Sequence, residues 1–440
     1  MARKLFGTDG VRGVAGEFLT ADLAVGLSRA AAEQAGSQHP RVLIVRDTRE
    51  SGEMLETAVA EGVSAAGGEA LLGGVLPTPA APLLLARYGF DLGVVISASH
   101  NPYQDNGIKF FGGDGFKLSD EAELAIEQAL EANGGEPHGP TGSVHELKGA
   151  GEDYLRELHT RFQSLDLQGL DVLLDCANGA TSHLAPEMFR RLGANVTVHA
   201  GSPDGRNIND GCGSTHVGEL ARMVVAGGHS IGFAFDGDGD RVLAVDSRGE
   251  VVDGDELLAL AALHLRDTGR LSGNGVVVTV MTNYGFHVAM EREKIAVAVT
   301  AVGDRYVLEE LRSSGWTLGG EQSGHLIEMG FNRTGDGLAG ALLTLEALAG
   351  RDLAERTAMR KLPQRLVNVR VRDRRAIEGA EKVHAAVSEA EADLQGRGRV
   401  LIRASGTEPL VRVMVEAPTE QEADLLCARL VSLVESELGA

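Results

Sequence analysis

"RVLIVRD", residues 41–47, followed by "SGEMLETAVAEGVSAAG", residues 51–67, decides the fold class. The first is a short aliphatic and β-branched run and reads as a buried strand. In the second, Met54, Leu55, Ala58, Val59 and Val63 recur at helical spacing. The same alternation returns twice. "DVLLDCANG" (171–179) precedes "SHLAPEMFRRLG" (182–193), and "NGVVVTVMTN" (274–283) precedes "YGFHVAMEREK" (284–294). Strands alternating with helices predict parallel sheets built from βαβ units. From about residue 364 the pattern changes: "LVNVRVRD", a helix over 377–395, "RVLIRASG", "VRVMVEAP" and a final helix predict a smaller α+β domain.

Composition bounds the function. At 440 residues the chain holds about three or four domains, and 43% hydrophobic content supplies a core for each. The amino terminus, "MARKLFGTDG", has no apolar stretch of the secretory kind, and no long apolar run suits a membrane span, so a cytoplasmic location is expected. Cys176, Cys212 and Cys427 are odd in number and widely spaced, which fits reduced thiols rather than a disulfide framework or a zinc cluster. A net charge of -22 opposes binding to nucleic acid or anionic membranes.

A short internal repeat points to a site. "DLGVVISASH" (91–100), "SIGFAFDGDGD" (230–240) and "TLGGEQSGH" (317–325) each pair an aliphatic residue with glycine and continue into a polar loop. In the first, Val94, Val95 and Ile96 form a buried strand whose end delivers Ser97, Ser99 and His100 to the place where open α/β sheets bind ligands. The second puts Asp236, Asp238 and Asp240 at alternate positions between glycines. Three converging carboxylates repel one another, so a hard divalent cation, magnesium or calcium, is the simplest reading. An EF-hand fails because Arg241 stands where it needs Gly and Ser247 where it needs Glu. A phosphatase with an aspartate nucleophile is a competitor, since it too opens with a strand and Asp-x-Asp.

The third loop offers Glu321, Ser323 and His325 to sugar hydroxyls or an amine. A fourth, "IRASGTEPLVRVMVE", sets Arg403, Ser405, Gly406, Thr407 and Arg412 around a turn suited to a phosphate. No Walker sequence is present. Lys109 in "NGIKFF" and Arg12 in "GTDGVRG" add cations near the serine loop or the amino terminus.

Together "FGTDGVRG", "SASHNP", "DGDGDR", "GEQSGH" and "RASGTEPLVRV" resemble, in order and spacing over essentially the whole chain, the α-D-phosphohexomutase superfamily. The resemblance implies three similar α/β domains with mixed, mainly parallel sheets plus a smaller C-terminal α+β domain around a central cleft. Residues 1–150 would carry a phosphoserine loop, 151–253 a metal loop, 254–363 a sugar loop and 364–440 a phosphate loop. It implies Ser99 as the phosphorylated serine, and Asp236, Asp238 and Asp240 as ligands of one magnesium ion that the serine phosphate completes. Arg241, Glu321, Ser323, His325 and the 403–412 turn would bind substrate, and a hexose 1,6-bisphosphate of glucosamine or glucose would act as activator. Lys109, then His100 and His325, are candidates for proton management, with Arg12 beside them. Asp304 and Arg305 stand where glucose- and mannose-phosphate members commonly have a histidine. That departure, with Gln322, points to a phosphorylated amino sugar: interconversion of glucosamine 6-phosphate and glucosamine 1-phosphate. A glucose- or mannose-phosphate mutase, a metal-dependent sugar-phosphate phosphatase and a non-catalytic sensor are the other readings, and a homodimer is left open.

Overall fold

A computed structural model of the chain describes residues 4–7, 9–132, 141–405 and 409–439. They form two compact units, Met1–Val280 with Val297–Arg356, and Met281–Ala296 with Thr357–Ala440.

The first unit contains three sheets. In the six-stranded sheet the order is Val11–Val14, Asp105–Gly112, Leu92–Ile96, Arg41–Arg46, Glu69–Val75, Ser143–Glu146. The strand read at 41–47 lies near its middle and pairs in parallel with Leu92–Ile96 on one side and Glu69–Val75 on the other. The helix read after it runs Gly52–Ala65 and buries Leu55, Ala58, Val59 and Val63. Val42, Ile44, Val94 and Ile96 join those side chains in one apolar core. The five-stranded sheet is ordered Val251–Val252, Val242–Asp246, Ile231–Phe235, Asp171–Asp175, Asn195–His199. The four-stranded sheet is ordered Ala296–Thr300, Gly275–Thr279, Leu318–Gly320, Leu326–Glu328.

The three copies of the internal repeat occupy the same place in these sheets. Leu92–Ile96, Ile231–Phe235 and Leu318–Gly320 are buried at every position. Each is followed by its polar loop and then by an antiparallel return strand: Asp105–Gly112, Val242–Asp246 and Leu326–Glu328 respectively. The sheets are therefore mixed, and each polar loop is the turn of a hairpin set beside parallel strands. The return strand Asp105–Gly112 is disguised in the sequence because it carries Lys109 at its buried centre, and lysine is seldom buried without a partner.

In the second unit Gln364–Arg370, Leu410–Glu416 and Arg399–Ala404 form an antiparallel sheet in that order. Helices Glu381–Leu394 and Glu420–Leu438 cover it, burying Val383, Leu394, Leu430 and Val434 against Val411, Val413 and Val415. The helix expected from 377 begins later because Arg374–Gly379 forms a 3-10 turn, capped by the Asp373 side chain. Residues 281–296, inside the stretch assigned from sequence to the third domain, cluster with this unit. Asn283 exchanges two hydrogen bonds with the Leu362 backbone, at 3.0 and 2.9 Å, and the Tyr284 N–H donates to Glu416 at 2.9 Å.

Candidate functional site

The turns of the three hairpins meet. Ser99 lies at the end of the fully buried strand Leu92–Ile96, is 1% exposed, and has φ of 52°, a left-handed conformation unusual for a residue with a side chain. Its N–H donates to Ser97 Oγ at 2.9 Å, and its own Oγ donates to Asp236 Oδ2 at 2.6 Å. The Asp236 loop can approach this closely because residue 237 is glycine: a Cβ there would stand 2.6 Å from the Ser99 carbonyl oxygen. Ser97 Oγ is turned away and donates to Asp47 at 2.6 Å. Of the two serines, Ser99 alone presents its hydroxyl to the acidic loop.

Asp236, Asp238 and Asp240 are buried, and each offers an oxygen within 4.8 Å of the others. Among the described residues, Asp238 Oδ1 and Asp240 Oδ1 have no hydrogen-bond partner. Buried carboxylate oxygens left bare are costly, and burial, Asp240 and Asp238 push the Asp236 carboxyl well above its ordinary range. Unpaired hard oxygens converging in a buried cluster are the donor set a divalent cation satisfies, so the residues fit such an ion.

Around this triad charges alternate in sign. Lys109 Nζ lies 2.8 Å from Asp238 and 3.1 Å from Asp9. Burial disfavours its charge, but Asp238 and Asp9 outweigh burial and raise its pKa, so it is an ammonium. Asp9 also pairs with Arg12 and Lys117, and Lys117 reaches Asp304 at 2.5 Å. His325 closes the series, with Nε2 3.8 Å from Asp304 and Nδ1 3.6 Å from Asp240. The Gly335 N–H donates to His325 Nε2 at 3.1 Å, which in the neutral ring leaves the proton on Nδ1, facing Asp240. His100, half-buried, has Nδ1 3.3 Å from Ser99 Oγ; burial, Arg241 and Arg12 lower its pKa and keep it neutral.

The third loop supplies less contact. Glu321 accepts the Gly303 N–H at 3.1 Å, Gln322 donates to Asp253 at 3.3 Å, and Ser323 is exposed. Arg241 Nε lies 3.8 Å from Asp240 and, among the described residues, makes no hydrogen bond. Asp304 faces the site through Lys117 and His325, whereas Arg305 is turned to Asp120, Glu123 and the Leu118 carbonyl. In the second unit Arg403 and Arg412 are directly opposite in the antiparallel pair. Burial and Arg412 lower the pKa of Arg403, and among the described residues Arg412 Nε has no hydrogen-bond partner. Two opposed guanidiniums repel, and an anion between them would relieve that. Ser405, next to them, is buried and its carbonyl accepts from Arg374 at 2.9 Å; Gly406 and Thr407 lie outside the described residues.

Sequence reasoning passed over several participants. Thr78, whose hydroxyl donates to Asp238 at 2.6 Å, Asp9, Lys117, Asp47, Arg49 and Asn209 all touch the site residues or their loops. Asp9 lies inside the quoted "FGTDGVRG" and Asp47 ends the quoted "RVLIVRD", so both could have been found there; the others carry no local signal.

Four models of one family match the chain in order. They are the phosphoglucomutase/phosphomannomutase alpha/beta/alpha domains I (residues 3–136), II (152–249) and III (253–366), and the C-terminal domain (366–433). The chain belongs to the phosphoglucomutase/phosphomannomutase family. Among relatives in this family, phosphoglucosamine mutase of Bacillus subtilis is 49% identical, with 99% of each chain covered. Phosphoglucosamine mutase of Geobacillus thermodenitrificans is 47% identical over the same share. A family protein from Burkholderia thailandensis has the same fold, with TM-score 0.81, 24% identity and 100% of both chains covered. Aspergillus fumigatus N-acetylphosphoglucosamine mutase, solved with GlcNAc-6P and magnesium, matches with TM-score 0.69 and 19% identity, covering 98% of this chain and 96% of its own.

Proposed function

We propose that the chain interconverts glucosamine 6-phosphate and glucosamine 1-phosphate, the reaction from which relatives take the name phosphoglucosamine mutase, and so supplies UDP-N-acetylglucosamine synthesis. The observation that carries the reading is the Ser99 hydroxyl, held 2.6 Å from a carboxylate of the buried aspartate triad. In this reading Ser99 Oγ carries a phosphoryl group and passes it to the free hydroxyl of the sugar monophosphate. That produces a 1,6-bisphosphate and a free serine, whose Oγ takes up a proton as the sugar hydroxyl loses one. The bisphosphate turns round, and its other phosphoryl group returns to Ser99.

Asp236, Asp238 and Asp240 would hold magnesium, which when bound neutralises charge on the phosphoryl oxygens as they move. Lys109 adds a fixed positive charge beside Asp238. Neutral His100, with Nδ1 3.3 Å from Ser99 Oγ, would move a proton to and from it, with Lys109 and His325 the other candidates for that role. Glu321, Ser323 and His325 would face the sugar, and Arg403, Ser405, Gly406, Thr407 and Arg412 the phosphate not being transferred. In this reading the stretches 1–150, 151–253, 254–363 and 364–440 would carry the serine, metal, sugar and phosphate loops respectively. Glucosamine or glucose 1,6-bisphosphate would prime the unphosphorylated serine. No described helix is long and apolar enough to cross a membrane, and a cytoplasmic location suits a phosphorylated substrate.

The test is a product assay on glucosamine, glucose and mannose phosphates with inorganic phosphate measured alongside. Isomerisation fastest on glucosamine phosphates, without phosphate release, is expected. Stoichiometric phosphate release would make the chain a phosphatase, and faster turnover of glucose or mannose phosphates would replace the substrate.

A further inference from the structure

A left-handed backbone is disfavoured for Ser99, which carries a side chain. Its peptide is gripped at both ends by residues that do not touch its hydroxyl. On the amino side, Ser97 Oγ accepts the Ser99 N–H and donates in turn to Asp47 Oδ2. On the carbonyl side, the Ser99 oxygen accepts from Arg49 Nη2 and from Asn209 Nδ2, both at 2.9 Å. The same two side chains reach a second carbonyl of the turn, that of Asn101, at 2.9 and 3.1 Å. Arg49 Nη1 continues to the carbonyls of Asp105, at 2.9 Å, and Pro102, while Nε pairs with Asp47 at 2.9 Å. Arg49 is 1% exposed. Five N–H groups in a planar fork satisfy four inward-turned carbonyls and one carboxylate; a lysine, with three donors on a point charge, could not span them.

These residues come from separate places. Asp47 and Arg49 follow the central strand Arg41–Arg46, and Asn209 belongs to a loop of the neighbouring sheet's domain, itself anchored by its N–H on the Ala177 carbonyl at 2.9 Å. We propose that Asp47, Arg49 and Asn209 are positioning residues that hold the Ser99 turn in its left-handed conformation and so aim Oγ at the aspartate triad. The inference rests on the reading of Ser99 as the phosphoryl carrier. Without the grip the serine peptide relaxes toward negative φ, and Oγ leaves the line to Asp236. Phosphoryl transfer depends on placement within about 1 Å, and a displacement of that size costs about a hundredfold in rate.

The experiment uses full-length protein carrying Asn209→Ala, Asn209→Asp or Arg49→Lys. For each, kcat and KM on glucosamine 6-phosphate are measured, together with the rate at which glucose 1,6-bisphosphate phosphorylates the serine, followed by intact mass. Melting temperature reports folding. The expected result is a kcat lower by about ten- to a hundredfold, a KM within about twofold of the parent because the sugar and phosphate loops are untouched, and serine phosphorylation slowed by the same factor as kcat. Asn209→Asp should be worse than Asn209→Ala, because it points a carboxylate at two carbonyl oxygens. If Arg49→Lys does not fold, the two Asn209 variants decide. A lower melting temperature with unchanged kcat per folded molecule would overturn the proposal, as would a loss residing in KM. Failure of the underlying reading shows separately, in a parent enzyme that isomerises nothing or never acquires phosphate on Ser99, and it overturns both.

Discussion

Replacing Lys109 by Met removes a buried cation while keeping most of its volume, and the structure fixes the sign of two consequences. Lys109 stands 2.8 Å from Asp238 and 3.1 Å from Asp9, and only 1% of its side chain is exposed. Removing one partner of a buried ion pair costs about 3–5 kcal/mol. Here the lower end applies, because Asp9 keeps Lys117 and Arg12, and Asp238 keeps the Thr78 hydroxyl. For a chain of this size that is a fall in melting temperature of roughly 3–6 °C in metal-free buffer. The second consequence runs the other way. Lys109 offsets part of the triad's negative charge, and a unit charge about 4 Å away at an effective dielectric of 20 is worth about 4 kcal/mol. Even a third of that makes magnesium bind the variant about tenfold more tightly, while turnover falls because the positive charge beside the triad is gone. Calorimetric titration with magnesium, melting curves with and without the ion, and kcat on glucosamine 6-phosphate check all of this on one preparation. Equal or weaker magnesium binding by the variant would refute the view of Lys109 as the triad's compensating charge.

Asp240→Asn removes a ligand charge at nearly constant volume, so magnesium affinity and kcat should fall together; full activity of the parent in excess chelator would contradict the metal site. Arg403→Ala should weaken binding of both monophosphates by about one to two powers of ten, the worth of a lost charge-assisted contact, and should release more bisphosphate to solution than the parent does; unchanged binding of both would place the clamp elsewhere. Glu346 gives a pH prediction. Burial works to raise its pKa, but hydrogen bonds from His264, Arg270 and Arg161 hold it down at about 2, below the ordinary 4.5. A depressed carboxyl pKa stabilises the fold above the unfolded value, and that contribution disappears as pH falls from 4.5 to 2. The network is partly open to water, which reduces the effect to about 1–2 kcal/mol, so Glu346→Gln should melt lower than the parent at neutral pH and converge with it toward pH 2. A gap that stays constant across that range would show that the ion pairs are not its source.

What could be read from the sequence was what is local. The strand at 41–46 and its helix announce themselves by periodicity, and the run Val94–Ile96 by its β-branched residues. Asp236, Asp238 and Asp240 are legible because adjacent turns of chain bring like charges together, and that demands an explanation within nine residues of sequence. The repeat was legible as a motif, although its structural form, a hairpin turn, depends on return strands, one of which is disguised by the buried Lys109. The grip on Ser99 was not legible. Arg49 looks like an ordinary polar residue after a strand, and what makes it otherwise is the set of carbonyls at 99, 101, 102 and 105, brought to it by sheet pairing. Asn209 meets Ser99 across 110 residues. Likewise residues 281–296 pack with the C-terminal unit through Glu416, a contact no spacing rule encodes. The departure at 304 and 305 was visible in sequence, yet only the structure separates Asp304, which is tied to Lys117 and His325, from Arg305, which is spent on Asp120 and Glu123.

The central claim is that Ser99 itself carries the phosphoryl group between the two positions of the sugar, and phosphate transfer from that serine is its most direct measurement. Enzyme labelled with radioactive phosphate by glucose 1,6-bisphosphate is digested to locate the label, and an undigested portion is mixed in a single turnover with unlabelled glucosamine 6-phosphate. The account predicts label on Ser99, absent from Ser99→Ala, and its passage to C1 of the sugar, with none appearing as inorganic phosphate. Label on Ser97 or on Asp236, or label that leaves as free phosphate, would contradict it.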